Sequence, residues 1–342
     1  MPVTTALVGC GPRGMDWLGP ALKESDHFDL TAVCDVDPQR LAAASEKFGA
    51  PGEADLERLL RRDDLQSVVV ATSARYHVPV ALAAVRAGKH VFVEKPLADA
   101  PAAGRQLAQE AERAGVVGVV GYQFRVTPFA AALAEELPHI RPVQALLTAH
   151  RVPLMRQFFF PDHYGGIMDD TTHTVHLALW AMGGRPEGVM AHVRRGTITG
   201  DETIEFASIL IDFDDRSRCA FIQSSMFGAT RAPNLVEFIG THGVVSTTDR
   251  RTLRVARHAG IREPGPRAPE GLDERTVETP QTGYQQDTIA LLEHFADLVA
   301  GRADRRRPRA CTLTQGADTI AVMAAMVRSF EEGRRVTLAE LE

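Results

Sequence analysis

The sequence predicts an α/β fold that begins with a doubly wound parallel sheet. From residue 4 to residue 124, strand-like runs alternate with helical patterns, and the runs are apolar almost throughout, as in "LQSVVVATS". Such runs are typical of strands buried on both faces, and their alternation with helices indicates a parallel sheet covered on both sides. Glycines follow the first run and an aspartate ends the second. In this fold the ligand binds at those carboxyl ends.

The predicted elements follow one another at short intervals. Strands are predicted at 4–11, 28–37, 65–73, 89–95 and 116–124, and helices at 15–25, 38–49, 77–88 and 99–115. Gly49 and Gly88 close two of these helices, because glycine readily adopts the left-handed conformation found at helix ends. The series predicts a first, dinucleotide-binding domain of residues 1–122.

The remaining residues, 123–342, have a different pattern. Strand-like runs with partial apolar–polar alternation occur at 142–152, 188–196, 203–215, 218–227 and 234–240. This pattern predicts a half-buried antiparallel sheet. Long helical patterns occur only at 127–137, 173–183, 285–300 and about 312–330. A chain of 342 residues exceeds the size of one ordinary core, so two domains are expected.

Composition excludes several classes of protein. A formal net charge of -6 argues against nucleic-acid binding, and the Arg-rich run 302–310 is interpreted as a solvated loop. Cys10, Cys34, Cys219 and Cys311 have no metal-binding spacing and indicate a reducing compartment. No stretch has the length of a membrane span, and the N-terminus lacks the charged region of a signal peptide. We therefore expect a cytoplasmic protein that binds neither membranes nor nucleic acid.

The segment "VGCGPRG" contains the motif G-x-G-x-x-G in Gly9, Gly11 and Gly14, directly after the first strand. Gly9 would make the tight turn, Gly11 would let the backbone approach a pyrophosphate, and Gly14 would allow close packing of helix on strand. The helix start adds unpaired N–H groups and a positive dipole end. Pro12 and Arg13, which lie between these glycines, are included in the predicted cofactor site.

Asp35 ends the second strand, about 20 residues after the glycines, where a carboxylate accepts hydrogen bonds from an adenosine ribose. The same carboxylate repels a 2′-phosphate, so NAD is predicted as the cofactor. Arg40 lies close enough in sequence to weaken this preference, which leaves NADP possible. The alternative is a turn with a capping acid and no nucleotide.

The segment "HVFVEKPLAD" ends an apolar strand with Glu94, Lys95 and Pro96. Taken alone, such a charged pair is usually a solvated strand end. In a doubly wound domain that binds a dinucleotide, however, this strand ends at the crevice where the nicotinamide must lie. Glu94 and Lys95 are therefore predicted to contact the cofactor.

The chain resembles the Gfo/Idh/MocA oxidoreductases, a family named for glucose–fructose oxidoreductase and inositol dehydrogenase. The resemblance rests on segments in the family's order and spacing, namely "VGCGPRG", "AVCDVDPQR", "TSARYHVPVALAAVRAGKHVFVEKPLA", "VVGYQFRVTP", "YGGIMDDTTHTVHLALWAMGG" and "GYQQDTIALLEHFADLVAGR". It implies a second, α+β domain built on a large, mostly antiparallel open sheet, and a C-terminal helix that returns to the first domain. It also implies a homodimer or homotetramer formed through that sheet.

The resemblance implies a catalytic set of Lys95, Asp169 and His173. A proton must move while a hydride passes between a secondary alcohol and the nicotinamide, and His173 can act as the base near neutral pH. Lys95 can polarise the substrate oxygen and hold the cofactor. Asp169, four residues before His173, can orient either group or bind a sugar hydroxyl. Taken alone, His173 would more often be a helix-cap or packing residue.

His176 departs from the family pattern, because an acid usually lies three residues after the catalytic histidine. Asp169, His173 and His176 would share one helix face, so a metal site is geometrically conceivable. No further His or Cys lies at a zinc-binding spacing, so we predict no metal and assign His176 to the substrate.

Further polar residues are assigned by the same resemblance. Thr72, Ser73 and His77 resemble adenine and nicotinamide contacts, although His77 could be a plain helix-cap residue. Gln123 is assigned to the cofactor and Arg125 to the substrate, with a hinge ion pair as the alternative for Arg125. His163 lies in a loop-like segment before the catalytic helix and is assigned to the substrate.

Three functions are compatible with these residues. The first is an NAD(P)-dependent dehydrogenase of a sugar, sugar derivative or cyclitol. The second is an enzyme that oxidises and re-reduces a sugar without net redox change, such as a glycosidase or epimerase. The third is a protein that senses NAD(H) or a sugar, which the presence of both Lys95 and His173 disfavours.

Overall fold

The computed structural model describes most of the chain. The described residues are 1–150, 166–196, 204–214, 217–225, 234–259, 271–304 and 309–341, with side chains in the helix that begins at 166 described from 171 onward. Two compact units are present: Met1–Thr127 with Thr282–Ala317, and Pro128–Gln281 with Asp318–Glu342. Compared with the division at 122/123 expected from sequence, the first unit also contains residues 123–127 and 282–317.

Helices and strands alternate along the first unit, whereas in the second unit the strands from Pro186 to Glu278 follow one another, with no helix between them among the described residues. The α-helices are α1 Gly19–Glu24, α2 Pro38–Phe48, α3 Leu56–Leu60, α4 His77–Arg86, α5 Pro101–Ala114, α6 Pro128–Ile140, α7 Gly166–Met182, α8 Tyr284–Val299 and α9 Leu313–Glu332. The strands are β1 Val3–Val8, β2 Phe28–Cys34, β3 Gly52–Glu53, β4 Ser67–Val70, β5 His90–Val93, β6 Gly118–Val120, β7 Pro142–His150, β8 Pro186–Arg195, β9 Ile204–Phe213, β10 Cys219–Ser225, β11 Val236–Gly240, β12 Gly243–Thr247, β13 Thr252–Arg257, β14 Asp273–Glu278, β15 Cys311–Thr312 and β16 Val336–Thr337.

The first unit contains the predicted parallel sheet. Its strand order is β15-β6-β5-β4-β1-β2-β3, and every pairing is parallel except that of β15 with β6. The central strands are buried along their length, as β4 shows at all four of its positions. The prediction of a doubly wound sheet is therefore confirmed.

The first helix differs from its prediction. The pattern at 15–25 predicts one regular helix, whereas a π-helical turn at Gly14–Leu18 precedes α1. Pro20 lies in the first turn of α1 and has no N–H to donate to the carbonyl four residues earlier. The missing bond favours a wider turn at this point.

Helix α8 completes the core of the first unit, although it lies far from the other elements in sequence. The ring of Phe295 lies 6.4 Å from that of Phe28 and 6.1 Å from that of Phe92. Leu291 and Leu292 of the same helix are buried in the same core. The strands β2 and β5 therefore depend on α8 for part of their apolar contacts.

The second unit is built on a nine-stranded sheet with the order β14-β13-β12-β11-β7-β10-β9-β8-β16. Among the strands that the structure describes in this unit, only β7 and β10 pair in parallel, so the predicted antiparallel character is confirmed. Helix α6 packs on β11, β12 and β13, and α7 packs on β7, β9 and β10.

One row of side chains in this sheet is apolar and accessible. Met190, Leu210, Phe221 and Leu146 lie side by side on β8, β9, β10 and β7. Met190 and Leu210 are 43% and 39% exposed, while their neighbours along each strand are buried. We call these four residues the apolar row. Among the described residues, no helix has the length and apolar character needed to cross a membrane.

Candidate active site

The carboxyl ends of five strands meet at one edge of the first sheet. Val8 pairs with Cys34 on one side and Val70 on the other, Val70 pairs with Val93, and Val93 pairs with Val120. Strand β2 lies on one side of β1, and β4 lies on the other. Doubly wound sheets bind their ligands at this switch point, where the strand order reverses. Residues that follow these strands are therefore candidates for one cofactor site.

The glycine-rich turn after β1 has the shape that a pyrophosphate needs. Gly9 has φ +99°, and a Cβ there would lie 2.6 Å from the backbone of Ala71. A Cβ at Gly14 would lie 2.1 Å from the carbonyl oxygen of Gly9, so only glycine permits this approach of helix to turn. A Cβ at Gly11 would meet no atom within 4 Å. Gly11 thus borders open space, where backbone N–H groups can approach a phosphate.

Asp35 joins the end of β2 to this turn. Its Oδ2 accepts the N–H of Cys10 at 2.7 Å, and its Oδ1 accepts the N–H of Asp37 at 2.9 Å. Each carboxylate oxygen can accept a further hydrogen bond, so both remain able to accept ribose hydroxyls. The residue that caps α2 is Asp37, which accepts the N–H groups of Gln39 and Arg40. A capping acid is therefore present, but it is not Asp35.

Glu94 is buried at the end of β5, with 3% of its surface exposed. Its Oε1 accepts two N–H groups of Arg13, from Nε at 2.7 Å and Nη2 at 2.6 Å. Its Oε2 accepts the backbone N–H of Lys95 at 2.9 Å. Burial opposes the charge of Arg13, but Glu94 and Tyr284 together outweigh this effect and raise the pKa of the guanidinium. The carboxyl end of β5 therefore carries a buried ion pair and is not a solvated strand end.

Two aromatic residues that the sequence analysis did not assign lie beside this ion pair. The Arg13 guanidinium is 5.1 Å from the ring centroid of Tyr284, at the start of α8. Trp17 meets Tyr284 edge to face, with centroids 4.6 Å apart. Trp17 and Tyr284 are 38% and 42% exposed. No local motif predicts this contact, because Tyr284 is on α8, which is far in sequence from Arg13 and Trp17.

Two buried polar atoms at the same sheet edge lack a hydrogen-bond partner. They are Oγ1 of Thr72, after β4, and Oε1 of Gln123, after β6. Buried polar atoms are normally satisfied, so each is a position where a bound polar ligand can supply the missing partner. Ser73, next to Thr72, is exposed. These residues and the open space at Gly11 fit a dinucleotide at this edge.

His77 lies deeper than these residues, with 2% of its surface exposed. Its Nδ1 is 2.7 Å from the carbonyl oxygen of Pro96, and its Nε2 is 3.0 Å from that of Thr72. Burial lowers the pKa of the imidazole, against the opposing effect of the Pro96 carbonyl and Glu94. Tyr76 is the N-cap residue of α4, and no side chain caps this helix start.

The remaining first-unit candidates lie at the margin of the site. Arg40 is exposed, with Nε 3.7 Å from a carboxylate oxygen of Asp37. Arg125 is 5% exposed, and its Nη1 donates to Oε1 of Gln315 at 3.2 Å. Burial lowers the pKa of Arg125 to about 10. The side chain of Arg125 is therefore held inside the first unit.

Two residues that are predicted to be catalytic, Asp169 and His173, lie on α7 of the second unit. His173 is partly buried in the middle of this helix. Asp169 lies on the same helix, but its side chain falls outside the described residues, as does the whole of His163. Thr171, two residues before His173, donates a hydrogen bond to Oγ of Ser224 at 2.9 Å. This bond ties the start of α7 to the carboxyl end of β10.

A second polar pair lies at the same strand ends and was not predicted. His150 pairs in register with Ser225, and its Nδ1 lies 2.7 Å from the Ser225 hydroxyl. The backbone N–H of His150 donates to Oδ1 of Asn234 at 2.8 Å. The parallel pair β7 and β10 thus ends in hydroxyl and imidazole groups, which are suited to binding sugar hydroxyls.

His176 occupies a different environment from His173. It is 1% exposed, and its Nδ1 lies 3.2 Å from Oγ1 of Thr319 on α9. The structure thus places the side chain in the core of the second unit, where it packs between helices. Within the part of the chain that is described, no group of three His, Cys, Asp or Glu side chains is arranged to hold a metal ion.

Two parts of the chain match descriptions of one protein family. Residues 3–122 match "Oxidoreductase family, NAD-binding Rossmann fold", and residues 134–246 match "GFO/IDH/MocA C-terminal domain". Together these matches cover more than half of the 342 residues.

Individual relatives match to different extents. The chain is 30% identical to 4-carboxy-2-hydroxymuconate-6-semialdehyde dehydrogenase of Sphingobium sp., over 51% of this chain and 54% of that protein. The match thus spans about half of that relative's length. The chain is also 25% identical to D-apiose dehydrogenase of Paraburkholderia graminis, over 98% of this chain and 90% of that protein.

Solved structures share the fold over the whole chain. An oxidoreductase from Agrobacterium radiobacter, crystallised with NAD+, L-tartaric acid and magnesium, matches with a TM-score of 0.81 and 19% sequence identity. The match covers 100% of both chains. At this level of identity the likeness shows a common fold alone.

Proposed function

This chain belongs to the GFO/IDH/MocA family of oxidoreductases, and from that premise we propose that it is an NAD(P)-dependent dehydrogenase acting on a CH–OH group. The proposed substrate is a secondary alcohol, or the matching ketone, of a sugar, a sugar derivative or a cyclitol. The relative named D-apiose dehydrogenase, which matches along 98% of this chain, supports a sugar substrate.

The proposed cofactor residues come from the carboxyl ends of the first sheet. Gly9, Gly11, Pro12, Arg13 and Gly14 form the turn that receives the pyrophosphate, and Asp35 binds the adenosine ribose. Thr72, Ser73 and Gln123 offer polar groups along the cofactor. When bound, NAD supplies the carbon that accepts or gives the hydride.

The proposed catalytic residues have different roles in the transfer of the proton. Lys95 polarises the substrate oxygen and stabilises charge that develops on it. His173 accepts the alcohol proton, and Asp169 orients the histidine or binds a substrate hydroxyl. In reduction of the ketone, His173 returns the proton to the oxygen. We leave His176 out of this set because its side chain is buried against Thr319.

One observation carries the proposal. The carboxyl ends of β1, β4, β5 and β6 bring the open space at Gly11, the unsatisfied Thr72 Oγ1, Lys95 and the unsatisfied Gln123 Oε1 to one sheet edge. A solvated strand end would not leave buried polar atoms without partners beside a glycine turn of this shape. The arrangement supports dinucleotide binding with Lys95 at the reactive end.

A spectrophotometric screen of sugars, cyclitols and their acids with NAD and with NADP tests the proposal. We expect nicotinamide reduction with at least one polyol or sugar, and faster turnover with NAD. If NAD instead stays bound through purification and does not exchange with free NAD, the enzyme is of the type that oxidises and re-reduces a sugar. Cofactor binding without turnover on any substrate, in a protein with Lys95 intact, would favour a sensor.

The apolar row supports self-association. Four adjacent strands present Met190, Leu210, Phe221 and Leu146 on one accessible surface, and contiguous apolar surface of this kind is typical of protein interfaces. We propose that this face forms the subunit interface of a homodimer or homotetramer. The free cysteines, three of them buried, support a cytoplasmic location.

A further inference from the structure

His77 connects two strand ends of the first sheet. Its ring lies between the carbonyl of Pro96, which follows β5, and the carbonyl of Thr72, which follows β4. These strands are neighbours, with Val70 paired to Val93. A neutral imidazole donates from one nitrogen only, and we take Nδ1, which has the shorter contact of 2.7 Å with Pro96, as that donor.

Neither function suggested by the sequence accounts for this side chain. His77 does not cap α4, because Tyr76 is the N-cap residue and no side-chain cap bond is formed. Direct cofactor contact would need an accessible ring nitrogen, whereas both nitrogens face backbone carbonyls and the residue is 2% exposed. The side chain is instead directed at the backbone that carries Thr72 and Lys95.

The backbone of Lys95 is consequently held on both sides. Before it, the carboxylate of Glu94 accepts the Lys95 N–H at 2.9 Å, and Arg13 fixes that carboxylate. After it, the Pro96 carbonyl accepts the N–H of His77. Removing the His77 donor would release the second of these restraints and take a hydrogen bond from a partly buried carbonyl.

We propose that His77 is a positioning residue for Lys95, acting through the Pro96 carbonyl. The inference rests on the proposed function, in which Lys95 polarises the substrate oxygen. A catalytic group displaced by about 1 Å can lose about 10²-fold in rate, so a single backbone hydrogen bond is enough to matter.

A set of three substitutions separates the two contacts of the ring. In His77→Asn the amide nitrogen occupies the position of Nδ1, so the donor to Pro96 is kept. In His77→Gln the amide nitrogen reaches the position of Nε2, toward Thr72, and in His77→Leu both contacts are lost. Val85→Ala, a buried change at the far end of α4, controls for general destabilisation. Each is measured for kcat, KM, NAD affinity by fluorescence titration and thermal unfolding.

We expect His77→Leu and His77→Gln to lower kcat by about 10-fold to 10²-fold with a small change in KM, and His77→Asn to restore most of it. On a Lys95→Ala background, His77→Leu should lower kcat no further, because both changes remove the same contribution. Val85→Ala should leave kcat near that of the wild type.

Three outcomes would overturn the inference in different ways. If Lys95→Ala lowers kcat to a value that is still measurable, and His77→Leu lowers kcat by the same factor with and without it, His77 does not act through Lys95 and the proposed function stands. If His77→Asn is as slow as His77→Leu, the Pro96 contact is not the one that matters. If Lys95→Ala turns over like the wild type, the proposed function itself fails.

Discussion

Arg13 and Glu94 form an ion pair that joins the glycine-rich turn after β1 to the end of β5, with Nη2 and Oε1 2.6 Å apart. The carboxylate side chain is 4% exposed and the guanidinium side chain 26%. A carboxylate so deeply buried depends on its partner, because an unpaired charge in the interior is costly. The pair therefore holds two segments of the candidate site together.

Loss of this pair should destabilise the first unit. Arg13→Met leaves the buried carboxylate of Glu94 without its cation, so we expect the free energy of unfolding to fall by about 1–3 kcal/mol. Urea denaturation followed by circular dichroism measures the change. Arg86→Met is the matched control, because it breaks an exposed pair with Glu110 and should change stability far less. Equal effects of the two substitutions would contradict the role assigned to Arg13.

Cofactor preference should depend on Asp35. Asp35→Ser removes the carboxylate that accepts ribose hydroxyls and repels a 2′-phosphate, so we expect NAD to bind about 10-fold or more weakly and NADP relatively better. Fluorescence titration with both nucleotides measures the ratio. Asp37→Ser is the control, because serine still caps α2. An unchanged NAD/NADP ratio in Asp35→Ser would remove Asp35 from the ribose site.

Lys95 and His173 are assigned to one proton transfer and should behave as a unit. Lys95→Ala and His173→Ala should each lower kcat by about 10²-fold or more. The double variant should be only slightly slower than the slower single one, because groups that act together are not additive. Steady-state kinetics on the best substrate from the screen tests this. Turnover near that of the wild type in both single variants would exclude the catalytic assignment.

His77 should make stability depend on pH. Burial lowers its pKa in the folded state, so the unfolded chain binds a proton before the folded one does. Its contribution is fully present above the unfolded pKa of about 6.5 and is lost as the pH falls toward the folded value. In His77→Asn, which cannot titrate, the decline of stability below about pH 6.5 should be shallower. If the free energy of unfolding depends on pH in the same way for both proteins across this range, His77 does not contribute to the pH dependence.

The apolar row should set the oligomeric state. Leu210→Arg places a charge in the centre of the proposed interface, so we expect a shift to monomer. Light scattering coupled to size-exclusion chromatography measures the mass of both proteins. Glu112→Arg, an exposed change on α5 of the first unit, should leave the mass unchanged. A monomeric wild-type protein, or an unaltered mass for Leu210→Arg, would exclude this face.

Local patterns in the sequence were enough to predict the strands, the glycine turn and the acid after β2. Each of these depends on neighbouring residues, such as a run of apolar residues or the spacing of Gly9, Gly11 and Gly14. The position of Lys95 follows from the same pattern, because parallel strands end at one edge.

Contacts between distant residues could not be predicted in this way. Arg13 and Glu94 are 81 positions apart, and nothing in either segment alone specifies their pairing. The two contacts of the His77 ring depend on how the ends of β4 and β5 are placed by the sheet. Tyr284 reaches the glycine turn only because α8 packs on the first sheet. The burial of His176 likewise depends on a helix more than 100 residues away.

The position of α8 has a consequence for biosynthesis. Phe28 and Phe92 are translated well before Phe295, which packs against both. At about 5–20 residues per second, the ribosome needs roughly 10–40 s to proceed from Phe92 to Phe295. During that interval the strands β2 and β5 present apolar surface that α8 later covers. The nascent chain therefore remains a candidate for chaperone binding until α8 has been translated.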